Sequence, residues 1–368
     1  MRALVVAVLL AGAGAAPSPA VVRVGPGDDL AAAIEAADAG TVVELTAGSH
    51  RPEPLTRGDG DVTVRAAPGA DVVLGPLDVR VPGLRLEGLR LTGRIHLRPR
   101  AVGSVLHDVV VDGGSVVVDA DGVVVEGSVV TPAPDHDALV VTASDGDGPV
   151  GVVVRGNELG PAVLSSPSSE AHLDCLQVTS AQDLLIEGNV LLGCSAQTIL
   201  VKSDLGPVDG VVLRGNEVHG CEPQRDTCRS INVLQVVPGE HPMGSVLLEG
   251  NTVHGRLRID PRVTGARVEG NAAAAIVDSC HAVGTGNVFG EARCEVPEGN
   301  EVVGPAWLEA AAPPTTIALP APAPAPVPAP APEPAPTPDE PARPWAAVVL
   351  AAIAASGATA VLVSRRRR

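Results

Sequence analysis

Short apolar runs, each closed by one charged residue and a glycine, recur from Val21 to Gly290. Five copies share one form: Val152-Val153-Val154-Arg155-Gly156-Asn157, Leu184-Leu185-Ile186-Glu187-Gly188-Asn189, Val211-Val212-Leu213-Arg214-Gly215-Asn216, Val246-Leu247-Leu248-Glu249-Gly250-Asn251 and Ala266-Arg267-Val268-Glu269-Gly270-Asn271. Weaker copies surround Glu87-Gly88, Asp112-Gly113 and Glu126-Gly127. Successive asparagines of the clear copies stand 32, 27, 35 and 20 residues apart. A fixed strand motif at a variable period predicts a solenoid in which each repeat adds one coil and loops absorb the differences. The runs are rich in β-branched residues and end on glycine, so the coils are strands and turns.

Stacked coils place like positions about 4.8 Å apart, so each column can be checked for physical sense. Arg155, Glu187, Arg214 and Glu249 alternate in sign, which gives opposite charges as neighbours. Asn157, Asn189, Asn216, Asn251 and Asn271 would stack as an amide ladder inside a tight bend, each satisfying the next. A second strand aligns 137–142, 174–179, 197–202 and 232–237. Its third and fifth columns are apolar and face the core. The fourth and sixth, holding Gln177, Gln235, Thr142, Thr179 and Lys202, are therefore expected to face solvent. Near the start, Asp28 or Asp29 caps a helix over 30–37, Gly40 ends it and a strand follows over 41–45. Such a helix covers the apolar end of the first coil.

The two ends of the chain read differently. Met1 and Arg2, an apolar run over 3–11 and small residues at 14–16 have the order of a secretory signal, with cleavage near Ala16. Residues 345–363 are an apolar or small stretch of 19 residues followed by Arg365–Arg368, as expected of a membrane span with a cytoplasmic basic tail. Between them, 313–344 is rich in Ala-Pro and reads as an extended linker. The expected order is thus signal peptide 1–16, folded domain 21–310, linker 313–344, transmembrane helix 345–363 and tail 364–368. The domain is therefore expected to be extracellular, held at the cell membrane by a single-pass anchor. Formal charge is −17, and without the five arginines Arg2 and Arg365–Arg368 residues 17–364 carry −22. That sign excludes nucleic acid as a partner, and a polyanionic sugar would need bridging cations.

Gly25-Pro26-Gly27-Asp28-Asp29-Leu30, Gly40-Thr41-Val42-Val43-Glu44-Leu45 and Ala47-Gly48-Ser49-His50 resemble the amino-terminal cap of the pectate-lyase-like right-handed parallel β-helix superfamily. The repeats match its coils over roughly 21–290. The resemblance implies an all-β, right-handed parallel β-helix with a capping helix. That superfamily includes lyases, hydrolases, epimerases and adhesins, so a polysaccharide partner is implied and a reaction is not.

Candidate chemistry gathers on the second strand. His172-Leu173-Asp174-Cys175-Leu176-Gln177 resembles a His-x-Asp-x-x-Gln pattern of bacterial members. Asp137 is expected one coil from Asp174, and two carboxylates at that separation raise one pKa, as a glycosidase general acid requires. The plainer reading is a turn ladder of Asp137, Asp174, Gln197 and Asn232. Lys202, the single lysine, is a candidate base for proton abstraction beside a uronate carboxylate, or an ordinary solvated side chain. Asp145 and Asp147 are candidate Ca2+ ligands in an Asp-Gly-Asp-Gly turn. Six cysteines in an exported domain suggest disulfides. Cys221 with Cys228, Cys280 with Cys294 and Cys175 with Cys194 are the expected pairs, with Cys194 to Cys221 as a rival. Two functions stay open: binding or processing of a surface polysaccharide, and a non-catalytic adhesin or envelope protein. An aromatic content of 1% favours the second, because sugar faces stack on aromatic rings.

Overall fold

The computed structural model describes residues 19–304, apart from 145, 222–225, 231 and 279. The expected signal peptide, linker and transmembrane helix lie outside the described residues. Within them no apolar run goes far before glycine or a polar pair turns the backbone, so most coils consist of three short strands. The first strands of successive coils stack into an eleven-stranded sheet. Its pairs are parallel, from Val21–Val24 on Val42–Leu45 to Val246–Glu249 on Ala266–Glu269. The second and third strands form two further faces. These merge into one nineteen-stranded sheet because the strand Thr252–Ile259 crosses their corner unbroken, pairing with Glu217–His219 on one side and Asn232–Val237 on the other. The architecture is a parallel β-helix, as the repeat and the resemblance led one to expect.

The interior is filled by columns of like residues. Leu139, Leu176, Ile199, Leu234, Leu257 and Ile276 stack in register and are fully buried. Each contributes about 1.5–3 kcal/mol of burial. The helix at the start spans Leu30–Glu35, two residues shorter than expected, because the Ala37 N–H tightens onto the Ile34 carbonyl at 3.2 Å. Asp29 is its cap, accepting from the Ala32 N–H at 3.0 Å, while Asp28 accepts from Gly25 at 2.7 Å. Leu30 and Ile34 enter the core.

Both columns read from the sequence are present and longer than expected. The asparagine ladder adds Asn287 and Asn300. From Asn157 to Asn287, each backbone N–H and Nδ2 donates to Oδ1 of the next asparagine at 2.8–3.2 Å. The charge column runs Arg23, Glu44, Arg65, Glu87, His107, Glu126, Arg155, Glu187, Arg214, Glu249, Glu269. Contacts along it include Arg65 to Glu44 at 3.0 Å, His107 to Glu126 at 3.0 Å and Arg214 to Glu249 at 2.7 Å. Arg155 holds the Glu126 carboxyl below its ordinary value. Asp112-Gly113 is not a copy of the motif: Asp112 ends a strand of the second face, Val110–Asp112. In that coil the motif is His107-Asp108, with Asp108 at φ 53° where other coils use glycine. A short polar side chain tolerates that conformation, which hides the repeat from a search for glycine.

All three expected disulfides form, Cys175–Cys194, Cys221–Cys228 and Cys280–Cys294, and the rival pairing does not.

Candidate active site

The loop 160–173 joins the second face to the third; Ala162, Leu164 and Leu173 anchor it in the core, and neighbouring coils hold its polar middle from outside. From the coil below, Asp135 Oδ1 accepts from the Ser165 N–H at 3.0 Å and from Ser169 Oγ at 2.8 Å. From above, the Ser195 N–H donates to the Ala162 carbonyl at 3.0 Å. The Arg229 guanidinium reaches the carbonyls of Pro167 and Ala171, both at 3.3 Å, and of Ser169. The Cys175–Cys194 disulfide fastens the strand that follows.

This support fixes Asp174, which is fully buried. Its N–H donates to Asp137 Oδ1 at 2.7 Å, and its Oδ1 accepts from the Gln197 N–H at 2.9 Å. The turn ladder of the plainer reading is therefore present over three coils. Asn232 does not continue it; its N–H turns to Ser230 Oγ at 3.1 Å and its Nδ2 to Gln235 Oε1 at 3.0 Å. The ladder leaves the other Asp174 oxygen unused. That Oδ2 faces His172 Nδ1 at 3.4 Å and accepts from Gln177 Nε2 at 3.2 Å.

His172, Asp174, Gln177 and Asp137 thus converge. The Asp174 carboxylate raises the His172 pKa above the ordinary imidazole value, against partial burial. Burial, and to a lesser degree the Asp174 charge, pushes the Asp137 carboxyl up to about 6, against the pull of the Asp174 N–H. The neighbouring carboxylate is therefore the lesser cause of the raised pKa. The His172 side chain remains 54% exposed, so a buried carboxylate orients, through Nδ1, a half-exposed imidazole whose second nitrogen is Nε2. Such a pair can move a proton at that nitrogen.

Lys202 stands one coil above Thr179, with Cα on the order of 8 Å from Gln177 by strand and coil spacing, and its charge is felt at His172. Its Nζ is paired with Asp204 Oδ2 at 2.8 Å. This arrangement suits a cation that fixes an anionic group, and a base would first have to leave Asp204. The Lys202-Ser203-Asp204 spacing was the available signal for that partner.

The outward columns are less open than the alternation implies. Gln235 and Thr179 are buried, as are Leu200 and Val237 beside them. Gln235 Oε1 is used by Asn232 and by Gln197 Nε2, the latter at 3.4 Å, while Thr179 Oγ1 lies 2.8 Å from Thr142 Oγ1. Packing between coils covers them. Of the candidate Ca2+ ligands, Asp145 lies outside the described residues. Asp147 offers its backbone carbonyl to Gln182 Nε2 at 3.1 Å.

No protein-family model matches the chain, and no curated protein does. Among solved structures, pectate lyase Pel9A is similar over 79% of this chain and 80% of its own, at 11% identity and TM-score 0.44. The A-module of the Azotobacter vinelandii mannuronan C-5 epimerase AlgE6 is similar over 76% of this chain and 95% of its own, at 15% identity and TM-score 0.45. The Dettilon tailspike protein gp208 is similar over 77% of this chain and 60% of its own, at 11% identity and TM-score 0.34.

Proposed function

We propose that this is an exported, membrane-anchored β-helix protein that binds and processes a polysaccharide at the corner holding His172 and Asp174. The observation that carries the reading is the wholly buried Asp174 carboxylate behind a half-exposed imidazole. A side chain placed only for stability has no need of that opening. His172 acts as the proton carrier, Asp174 orients it, Gln177 holds Asp174, and Lys202 anchors an anionic substituent of the sugar. Asp137, protonated well above the usual carboxylate range, is a second acid in reach of the same corner. Three disulfides agree with export into an oxidising compartment.

A second reading, a non-catalytic adhesin or envelope protein, is favoured by one observation. Phe289 is fully buried, so among the described residues no Phe, Tyr or Trp is offered to a sugar ring.

The test is to expose the purified protein to uronate-containing and neutral polysaccharides and follow unsaturated products, reducing ends and binding. His172→Ala is expected to lower turnover by about 10²- to 10⁴-fold, the usual worth of a positioned proton carrier, with the melting transition nearly unchanged. Lys202→Arg keeps the anchoring charge and should retain most activity, whereas Lys202→Ala should weaken binding. Turnover unaffected by His172→Ala removes the catalytic assignment, and absence of binding across the panel supports the structural reading.

A further inference from the structure

One coil beyond the corner just described, the second face carries a cluster that the proposed reaction does not use. Glu217 and His219 lie two residues apart on the strand Glu217–His219, so both point outward from the same face. His254 is the register partner of His219 on the next coil. The imidazoles stack with centroids 4.3 Å apart and planes 7° from parallel. Each Nε2 lies 3.2 Å from the same oxygen, Glu217 Oε1. The His254 contact has hydrogen-bond geometry. His219 Nε2 is buried and has no hydrogen-bond partner among the described residues, a condition that native interiors rarely leave unanswered.

We propose that Glu217, His219 and His254 form a binding site for a divalent transition-metal ion of the Zn2+ type. Two imidazole nitrogens and one carboxylate oxygen make a borderline donor set that suits Zn2+ or Co2+ and not Ca2+ or Mg2+. All three donor atoms lie within 4.8 Å of one another. Donors at about 2.0–2.1 Å on one tetrahedral ion stand about 3.3 Å apart, close to both nitrogen-to-oxygen distances here. To share an ion the rings must turn out of their parallel stack, since each lone pair lies in its own ring plane. The ion takes the place of the hydrogen bond to His254 and gives the orphaned His219 nitrogen a partner. The histidine side chains are only 14% exposed while that of Glu217 is 35% exposed, so the remaining coordination position opens toward solvent past the carboxylate. The site forms only when the coils stack, because Glu217 and His219 come from one coil and His254 from the next, and metal binding is thereby coupled to folding.

The experiment uses the purified protein without a histidine tag, stripped with chelator and titrated with Zn2+ by calorimetry and with Co2+ by visible absorption. One equivalent is expected, with a four-coordinate Co2+ spectrum and a raised melting temperature for the Zn2+-loaded protein. His254→Ala should weaken binding roughly 100-fold or more, at or beyond the upper end of what loss of a supporting group costs. Glu217→Gln keeps the size of the side chain and the ring stack, and should weaken it at least tenfold. The second variant decides the matter if the first does not fold. No uptake by the wild type, or uptake that both substitutions leave unchanged, overturns the proposal.

Discussion

Asn216→Ala is expected to lower the free energy of unfolding by about 3–5 kcal/mol, from four buried hydrogen bonds at about 1 kcal/mol each. Asn216 is 1% exposed. Its Oδ1 accepts from the Asn189 N–H at 3.0 Å and from Asn189 Nδ2 at 2.9 Å. Its Nδ2 donates to the Ile186 carbonyl and to Asn251 Oδ1, both at 2.9 Å. Alanine removes one bond from each of the four; Asn251 Oδ1 keeps the residue 216 N–H at 3.0 Å and Asn189 Nδ2 keeps the Val154 carbonyl at 2.9 Å, so the loss falls hardest on the Asn189 N–H. Asn300→Ala, at the half-exposed end of the ladder, should cost nearer 1 kcal/mol because solvent can replace the lost bonds. Urea denaturation of both variants checks this. A loss below about 1 kcal/mol at Asn216 would mean that the ladder is not what holds the bend.

The second large effect has the opposite sign. Asp137→Asn is expected to stabilise the protein at pH 8 by about 2 kcal/mol and to do nothing near pH 4. The Asp137 carboxyl is raised from 3.8 to about 6 in the folded protein. Between those values the native state holds a proton that the unfolded chain has released. The group's favourable contribution is therefore complete below pH 3.8 and is lost as pH rises through 6. Two pKa units correspond to at most about 3 kcal/mol, and residual solvent contact reduces that. Asparagine retains the oxygen that accepts the Asp174 N–H and removes the charge that burial and Asp174 oppose. His172, also raised, loses its contribution over a higher pH range in the same direction. The variant's gain should thus appear first between pH 4 and 6. Unfolding midpoints measured from pH 4 to 8 report it, and an equal shift at both ends would show that packing and not ionisation is responsible.

Strands and ladder were legible because their signal is local. Val-Leu-Leu-Glu-Gly-Asn states strand, turn and amide within six residues. Asn287 and Asn300 carry the same Gly-Asn pair, yet follow their predecessors by 16 and 13 residues, intervals too short to suggest further coils of the same kind. The disulfides were legible by elimination among few candidates. The corner was legible in part. His172, Asp174 and Gln177 lie within six residues, and the alignment placed Asp137 beside them. The alignment could not show that packing would bury Gln235 and Thr179, or that Asp204 would take up Lys202. The stacked histidines were out of reach of any local reading. His219 and His254 are 35 residues apart, and only the register of Glu217–His219 on Thr252–Ile259 makes them neighbours.

As far as Glu249, the alternating column on the eleven-stranded sheet also imposes a parity on the solenoid; the last pair, Glu249 against Glu269, departs from it. Coils differ in length mainly through their corner loops, so removal of a whole coil leaves like positions to stack on like. Losing the coil that carries Glu187 brings Arg155 against Arg214. Losing that of Arg214 as well restores an opposite pair, Arg155 against Glu249. Each exposed pair is worth only about 0.2–1 kcal/mol, too little to forbid an odd change and enough to weight the outcome. Growth or shortening of this β-helix is therefore easier by twos than by ones.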